Sequence, residues 1–319
     1  MLTQKIQYSK QQLQQWVESL SASGKTVIGP VKHSGFSRFE KIKTFDQLNL
    51  KERTTFSAKD IIFPKAEVLF QFKNEKNDIV ISKENRQMKG VILIGTRPCD
   101  AEGLDYLKKF FQSDPEIQQK INDITLVTFS CQEKFAGCFC DDMGLDKSYS
   151  DKTDILIQET ETGYQILCNE KGLKNLNAAP ENIQEVSPGN HGERNKDKTA
   201  FFRQLAAQYN SEEWKMISLG CLGCGACAYV CPTCTCYDIQ DEGTTLQGQR
   251  LKCWDSCGFG LFTKHASGHN PKPNQVERRR HRIMHKFVYT QETLDTISCV
   301  GCGRCIAVCP SHMNLYNDA

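Results

Sequence analysis

The residues best equipped for chemistry are cysteines, and they come as a repeat. Cys221-Leu-Gly-Cys224-Gly-Ala-Cys227-Ala-Tyr-Val-Cys231-Pro232 matches Cys299-Val-Gly-Cys302-Gly-Arg-Cys305-Ile-Ala-Val-Cys309-Pro310 cysteine for cysteine. Both runs are C-x2-C-x2-C-x3-C-P, the spacing that holds [4Fe–4S] clusters. The first three thiolates of such a run converge on three irons of one cubane as the loop wraps it. The fourth lies beyond a helical turn and points away, so it serves the other cluster. The spacing predicts crossed ligation: Cys221, Cys224, Cys227 and Cys309 on one cluster, Cys299, Cys302, Cys305 and Cys231 on the second. Gly223, Gly225, Gly301 and Gly303 let the backbone approach the sulfides and donate N–H groups to them. Structural zinc also takes four cysteines, usually from two C-x2–4-C knuckles. Two four-cysteine runs that each end in proline do not have that form.

Nine of the seventeen cysteines lie outside the repeat. Cys99 follows the apolar run Val91–Gly95, and Cys131 follows the apolar run Ile124–Phe129. If these runs are parallel strands, both thiols sit at the carboxyl edge of a sheet, where open α/β proteins place ligands. Cys138 and Cys140 stand close by in sequence. One reading gives these four a third iron–sulfur site. A competing set is Cys234, Cys236, Cys253 and Cys257, and a mixture of the two sets is a further option. The bland alternative is burial, since free cysteine packs as a small hydrophobe; Cys168, in a hairpin strand, is most simply read so. His265/His269 and His281/His285 have the i, i+4 spacing of helical metal ligands. Gly268 and Pro271 spoil the first as a helix, however, and no HExxH motif accompanies either pair.

The chain around these thiols is long enough, at 319 residues, for one large domain or two ordinary ones. Forty Lys and Arg against thirty-eight Asp and Glu give a net charge of +2, which argues against a general polyanion binder. Apolar runs fall well short of a membrane span, and the first residues, MLTQKIQYSK, lack the apolar core of a secretory signal. A cytoplasmic location is expected, where thiols stay reduced and dense cysteine signals metal or redox chemistry.

The elements that must position these thiols begin with residues 1–186, which predict an α/β (α+β) domain. Leu13, Trp16, Val17 and Leu20 mark an amphipathic helix over Lys10–Ser21. Thr26–Ile28, Val68–Phe72 and Asp78–Ser82 read as strands. Val91–Gly95, a helix capped by Asp100 and running to Phe111, and Ile124–Phe129 predict a βαβ unit. Ile155–Thr160 and Tyr164–Cys168 predict a hairpin. Residues 187–198, SPGNHGERNKDK, read as a linker. Residues 199–319, entered through helices at Thr199–Asn210 and Glu212–Leu219, predict a ferredoxin-like 2×[4Fe–4S] domain with an insertion at 232–298. In that insertion Asn274 and Glu277 resemble a capping pair ahead of the basic run Arg278–Lys286. The default for such a run is a solvated helix face. Its arginines, with Arg250 and Arg304, are also placed to offset cluster charge.

The combination of motifs resembles the iron–sulfur electron-transfer protein shared by cytosolic sulfhydrogenases, where it is the beta subunit, and by anaerobic sulfite reductases. It is carried by Gly95-Thr-Arg-Pro-Cys99-Asp100, Cys138-Phe-Cys140, Cys231-Pro-Thr-Cys-Thr-Cys236, Trp254-Asp-Ser-Cys257, Glu277-Arg-Arg-Arg and Cys299-Val-Gly-Cys-Gly-Arg-Cys305. The matches span residues 95–310, with a looser fit before them. The resemblance implies a hetero-oligomeric oxidoreductase complex. In it this chain relays electrons between an NAD(P)H-oxidising subunit, which bears flavin and a 2Fe–2S cluster, and a terminal hydrogenase or reductase subunit. No phosphate loop and no strand–GxGxxG–helix pattern is present, so no nucleotide or flavin site is expected in the chain itself. Two other classes remain open on sequence alone. One is a stand-alone iron–sulfur reductase with substrate at a third cluster. The other is a nucleic-acid-binding protein with structural clusters, disfavoured by the near-neutral charge.

Overall fold

Strands β6 (Val91–Thr96) and β7 (Thr125–Phe129) are buried at every position. The computed structural model, which describes residues 1–75, 78–83, 88–176, 178–187 and 199–315, shows why. Each strand sends alternate side chains to opposite faces of the sheet, and both faces are covered. Ile92, Ile94, Val127 and Phe129 pack with Leu13, Trp16, Val17 and Leu20 of the helix Lys10–Ala22. On the other face Val91, Leu93 and Leu126 pack with Leu104, Leu107 and Ile117. Each such side chain contributes about 1.5–3 kcal/mol on burial. An uninterrupted apolar run is what a strand between two covered faces needs.

The other strands are β1 (Gln4–Tyr8), β2 (Thr26–His33), β3 (Phe36–Lys41), β4 (Ala66–Glu75), β5 (Asp78–Ser82), β8 (Ile155–Thr160), β9 (Gly163–Cys168), β10 (Gln184–Glu185), β11 (Tyr237–Gly243) and β12 (Gln247–Trp254). An eight-stranded sheet runs in the order β10-β1-β9-β8-β7-β6-β2-β3. Its middle strands β2, β6, β7 and β8 are parallel, and the flanking pairs are antiparallel. Strands β6 and β7 are direct neighbours, in register Leu93↔Leu126 and Ile94↔Val127. Two helices, Pro98–Phe110 and Pro115–Asp123, lie between them in the chain, where a single helix was expected.

Asp100 does not cap the first of these helices. Arg97 is the N-cap residue and is extended (φ −107°, ψ 164°), as a residue before proline prefers, and Pro98 takes the first helical position. Asp100 stands at the third position and accepts the Arg97 N–H at 3.2 Å. The capping pair Asn274 and Glu277 does form a reciprocal box at the start of the helix Gln275–Met284.

A second sheet has the order β11-β12-β4-β5. Strand β12 pairs with β4, so a hairpin from the first half of the chain and one from the second build it together. A third core likewise joins Phe139, Met143 and Leu145 to Ile283, Phe287 and Val300. Residues 188–198, the bulk of the expected linker, lie outside the described residues.

Candidate metal centres

The two four-cysteine runs fold alike. In each, two glycines take the left-handed conformation, Gly223 and Gly225 at φ 68° and 73°, Gly301 and Gly303 at φ 58° and 68°. A short helix then starts, Ala226–Val230 in the first and Arg304–Ala307 in the second. The positive φ lets the loop curl so that successive thiols face one space. That helical turn carries the fourth cysteine away from its own loop.

The thiols of both runs line cavities. Cys221, Cys224, Cys227 and Cys309 line one cavity, together with Gln275, Arg278 and Arg282. Cys231, Cys299, Cys302 and Cys305 line another, beside Lys286. Cys305 also lines the first cavity. Cys224 is exposed, whereas Cys231, Cys299 and Cys302 are buried. One cavity opens to the surface and the other is interior.

Cys99, Cys131, Cys138 and Cys140 line a third cavity, which Cys302 also borders. Three thiols of the competing set also gather, with Arg282 Nη1 3.4 Å from Cys234 Sγ and 4.0 Å from Cys257 Sγ, and Cys253 stands apart on β12, opposite Asp238. Cys236 is hydrogen-bonded to Cys257, and Cys234 to Cys231. Cys168 is fully buried in the core, as expected of a packing residue. Among the described residues, no group of three or more His, Cys, Asp or Glu is set closely enough to hold a single metal ion. The tetrads instead stand around spaces, and a four-thiolate set around a space is the donor arrangement a cubane takes.

The basic run is not a solvated face, and this corrects the default expectation. Arg279, Arg282 and Lys286 are only 5%, 5% and 2% exposed. Their spacing puts them on the inner side of one helix, which passes at His285–Tyr289 into a π-helical turn. Such turns often occur at functional sites. Lys286 Nζ donates to Cys231 Sγ at 3.3 Å, Thr233 Oγ1 at 2.8 Å and the Ser298 carbonyl at 2.8 Å. Arg282 donates to Cys234 Sγ at 3.4 Å and to the Cys227 carbonyl at 3.2 Å. Burial opposes the charge of Lys286, but Cys231 and Cys234 outweigh it and hold its pKa above the ordinary lysine value.

Arg304 is 1% exposed and forms an ion pair with Asp100, Nη1 to Oδ1 at 3.0 Å, while donating to the Thr54 carbonyl at 2.8 Å. Arg250, expected to serve a cluster, instead pairs bidentately with exposed Asp241 at 2.7 Å. Arg280 lies over the Tyr209 ring. Sequence reasoning missed Arg53, which donates to Cys138 Sγ at 2.9 Å and also to the Cys302 carbonyl. Only the fold brings its loop here. His281 and His285 stack on each other, and burial pushes both pKa values down to about 4. His265 and His269 meet edge-on at 5.5 Å between ring centroids in an irregular loop.

Burial pushes the Cys299 thiol up to about 11 and the Cys140 thiol up to about 12. Such thiols become thiolates on metal binding, which releases their protons. Buried Lys286 beside Cys299 suits that exchange. The residues present therefore fit iron–sulfur clusters.

These features define an α/β protein with a [4Fe–4S] dicluster module, and residues 220–313 match a family model described as a 4Fe-4S dicluster domain. The chain is 30% identical over 308 residues to sulfhydrogenase 2 subunit beta of Pyrococcus furiosus, covering 90% of this chain and 89% of that relative. It belongs to the sulfhydrogenase beta-subunit family. No solved structure matches it.

Proposed function

We propose that the chain is the electron relay of a multisubunit oxidoreductase. Single electrons would pass through it between an NAD(P)H-oxidising subunit, bearing flavin and a 2Fe–2S cluster, and a terminal subunit of hydrogenase, sulfite reductase or sulfur reductase type. The observation that carries the reading is the contact between neighbouring cysteine-lined cavities. Cys305 borders both cavities of the repeat, so two redox centres held there stand side by side. Cys221, Cys224, Cys227 and Cys309 are proposed to hold one [4Fe–4S] cluster, and Cys299, Cys302, Cys305 and Cys231 the other. Bound clusters supply one-electron chemistry without proton transfer or bond rearrangement of a substrate.

The protein's own contribution is to fix and tune these centres. Lys286 and Arg282 place positive charge against the thiols of Cys231 and Cys234 in a buried setting. Fixed cations there favour the more negative, reduced state and so raise its potential. Ile283, Phe287, Val300 and Leu315 keep water from the interior tetrad. Gln275 Nε2 donates to Cys221 Sγ at 3.0 Å and the Met313 N–H to Cys309 Sγ at 3.4 Å, which orients two thiols of the outer tetrad.

The relative's name describes one subunit of a larger assembly, in line with partners on both sides of a relay. Among the described residues no helix is long and apolar enough to cross a membrane. The dense free cysteine suits a reducing compartment, and on that ground the complex is placed in the cytoplasm. A relay without a flavin needs a partner to split the two electrons of a hydride. The cluster-loaded chain alone should therefore reduce no viologen dye from NADH or NADPH, and should do so once the flavoprotein subunit is added. Dye reduction by the purified single chain would overturn the assignment.

A further inference from the structure

We infer that Cys99, Cys131, Cys138 and Cys140 hold a third [4Fe–4S] cluster, set at the end of the line formed by the two clusters of the repeat. The occupancy stands on its own geometry, whereas its role as a relay terminus rests on the electron-transfer reading.

The first two thiols are delivered by the sheet. Strands β6 and β7 are parallel neighbours, and adjacent strands lie ~4.8 Å apart. Cys99 follows the end of β6 in the first turn of the helix Pro98–Phe110, and Cys131 follows the end of β7. The Cys131 N–H is anchored on the Lys147 carbonyl at 3.0 Å.

The other two thiols are delivered by the dicluster loop. The Phe139 N–H donates to the Gly301 carbonyl at 2.8 Å. A side chain on Gly301 would come within 2.5 Å of the Phe139 carbonyl oxygen and 2.6 Å of Cys140 Cα. One on Gly303 would strike the Gly137 carbonyl. Residues 137–140 thus lie flush on the loop that presents Cys302. Cys302 borders both the interior cavity and this one, so the cavities run outer, interior, third, with Cys305 and Cys302 at the two joints.

The surrounding charge points the same way. Arg53 donates to Cys138 Sγ and to the Cys302 carbonyl, which ties the tetrad to its neighbour. Arg97 lines the cavity while donating to the Ser130 carbonyl at 3.0 Å. Arg304 Nη1 lies 4.0 Å from Cys99 Sγ. Ordinary core cysteines need no arginines beside them, since a neutral thiol has no charge to offset. A cubane ligated by four thiolates has net negative charge and does. The thiols are free rather than disulfide-bonded, and they are not close-set enough for one ion. The four-iron cluster is the occupant these facts leave.

The test is iron and acid-labile sulfide on the full chain, reconstituted anaerobically, with native mass spectrometry and electron paramagnetic resonance after reduction. The wild type should carry about twelve irons, and the Cys99→Ser/Cys140→Ser variant about eight, with the signals of the repeat's clusters retained. An equal count in both proteins, or zinc in place of four irons, overturns the third cluster. Should the double variant fail to fold, about eight irons on the wild type overturns the inference, and a Cys236→Ser/Cys257→Ser variant completes the test: about twelve irons retained there supports it, and about eight overturns it. Loss of the dicluster reading would show differently, as a wild type below about eight irons.

Discussion

Replacing Cys231 by serine should cost the cluster held by the Cys299–Cys305 loop, and leave the one beside it in sequence. The expected loss is about four irons per chain. Cys231 lines the interior cavity with Cys299, Cys302 and Cys305, although the rest of its own run faces the outer one. Its thiol is also where Lys286 is aimed, at 3.3 Å. A hydrogen bond from Cys234 pulls the Cys231 pKa well down, against the effect of burial, with Lys286 and Arg282 adding to it. Combining variants makes the test sharper. Cys231→Ser with Cys302→Ser should lose no more iron than either alone, because both remove one cluster. Cys231→Ser with Cys309→Ser should lose about twice as much. The opposite pattern would mean that each run holds its own cluster.

Arg304→Leu should destabilise the loaded chain by about 3–5 kcal/mol, the usual effect of removing one partner of a buried ion pair. Both Arg304 and Asp100 are 1% exposed, so the remaining carboxylate would have no access to water. The same guanidinium satisfies the Thr54 carbonyl and hydroxyl and approaches Cys99. It therefore fastens the N-terminal loop, the helix after β6 and the second four-cysteine run to one another. Guanidinium unfolding of Arg304→Leu, Asp100→Asn and the double variant measures this. The double variant should cost clearly less than the two singles added, since neither leaves the other unpaired. A single-variant effect below about 1 kcal/mol would place the pair on the scale of exposed ion pairs and contradict its structural role.

Local pattern carried much of this into the sequence. The spacing of the two runs predicts which thiols share a space; the two cavities they line overlap at Cys305. The apolar runs at β6 and β7 are legible because burial on both faces leaves no room for polar residues. Their adjacency was a condition that only the sheet order could supply. The basic run was misread because a one-dimensional charge pattern does not say which side of a helix meets the core. Arg279, Arg282 and Lys286 recur at intervals of three and four, and that spacing marks a single face. The other reading of the run, cations that offset cluster charge, fits Arg282 and Lys286, which lie against Cys234 and Cys231. Arg53 left no local signal at all. It lies far in sequence from both Cys138 and Cys302, and only the packing of the N-terminal loop on the dicluster loop brings it there. The pairing of β4 with β12 was equally invisible, since strand partners so distant leave no periodicity.

On the proposed function, the cysteine repeat holds paired iron–sulfur clusters that carry electrons. Quantifying iron, zinc and acid-labile sulfide in the anaerobically purified chain tests it most directly. At least about eight irons with an equal amount of sulfide are predicted, bleached reversibly on reduction. Zinc without sulfide would contradict the account, because a zinc-bound chain has no electron to pass on.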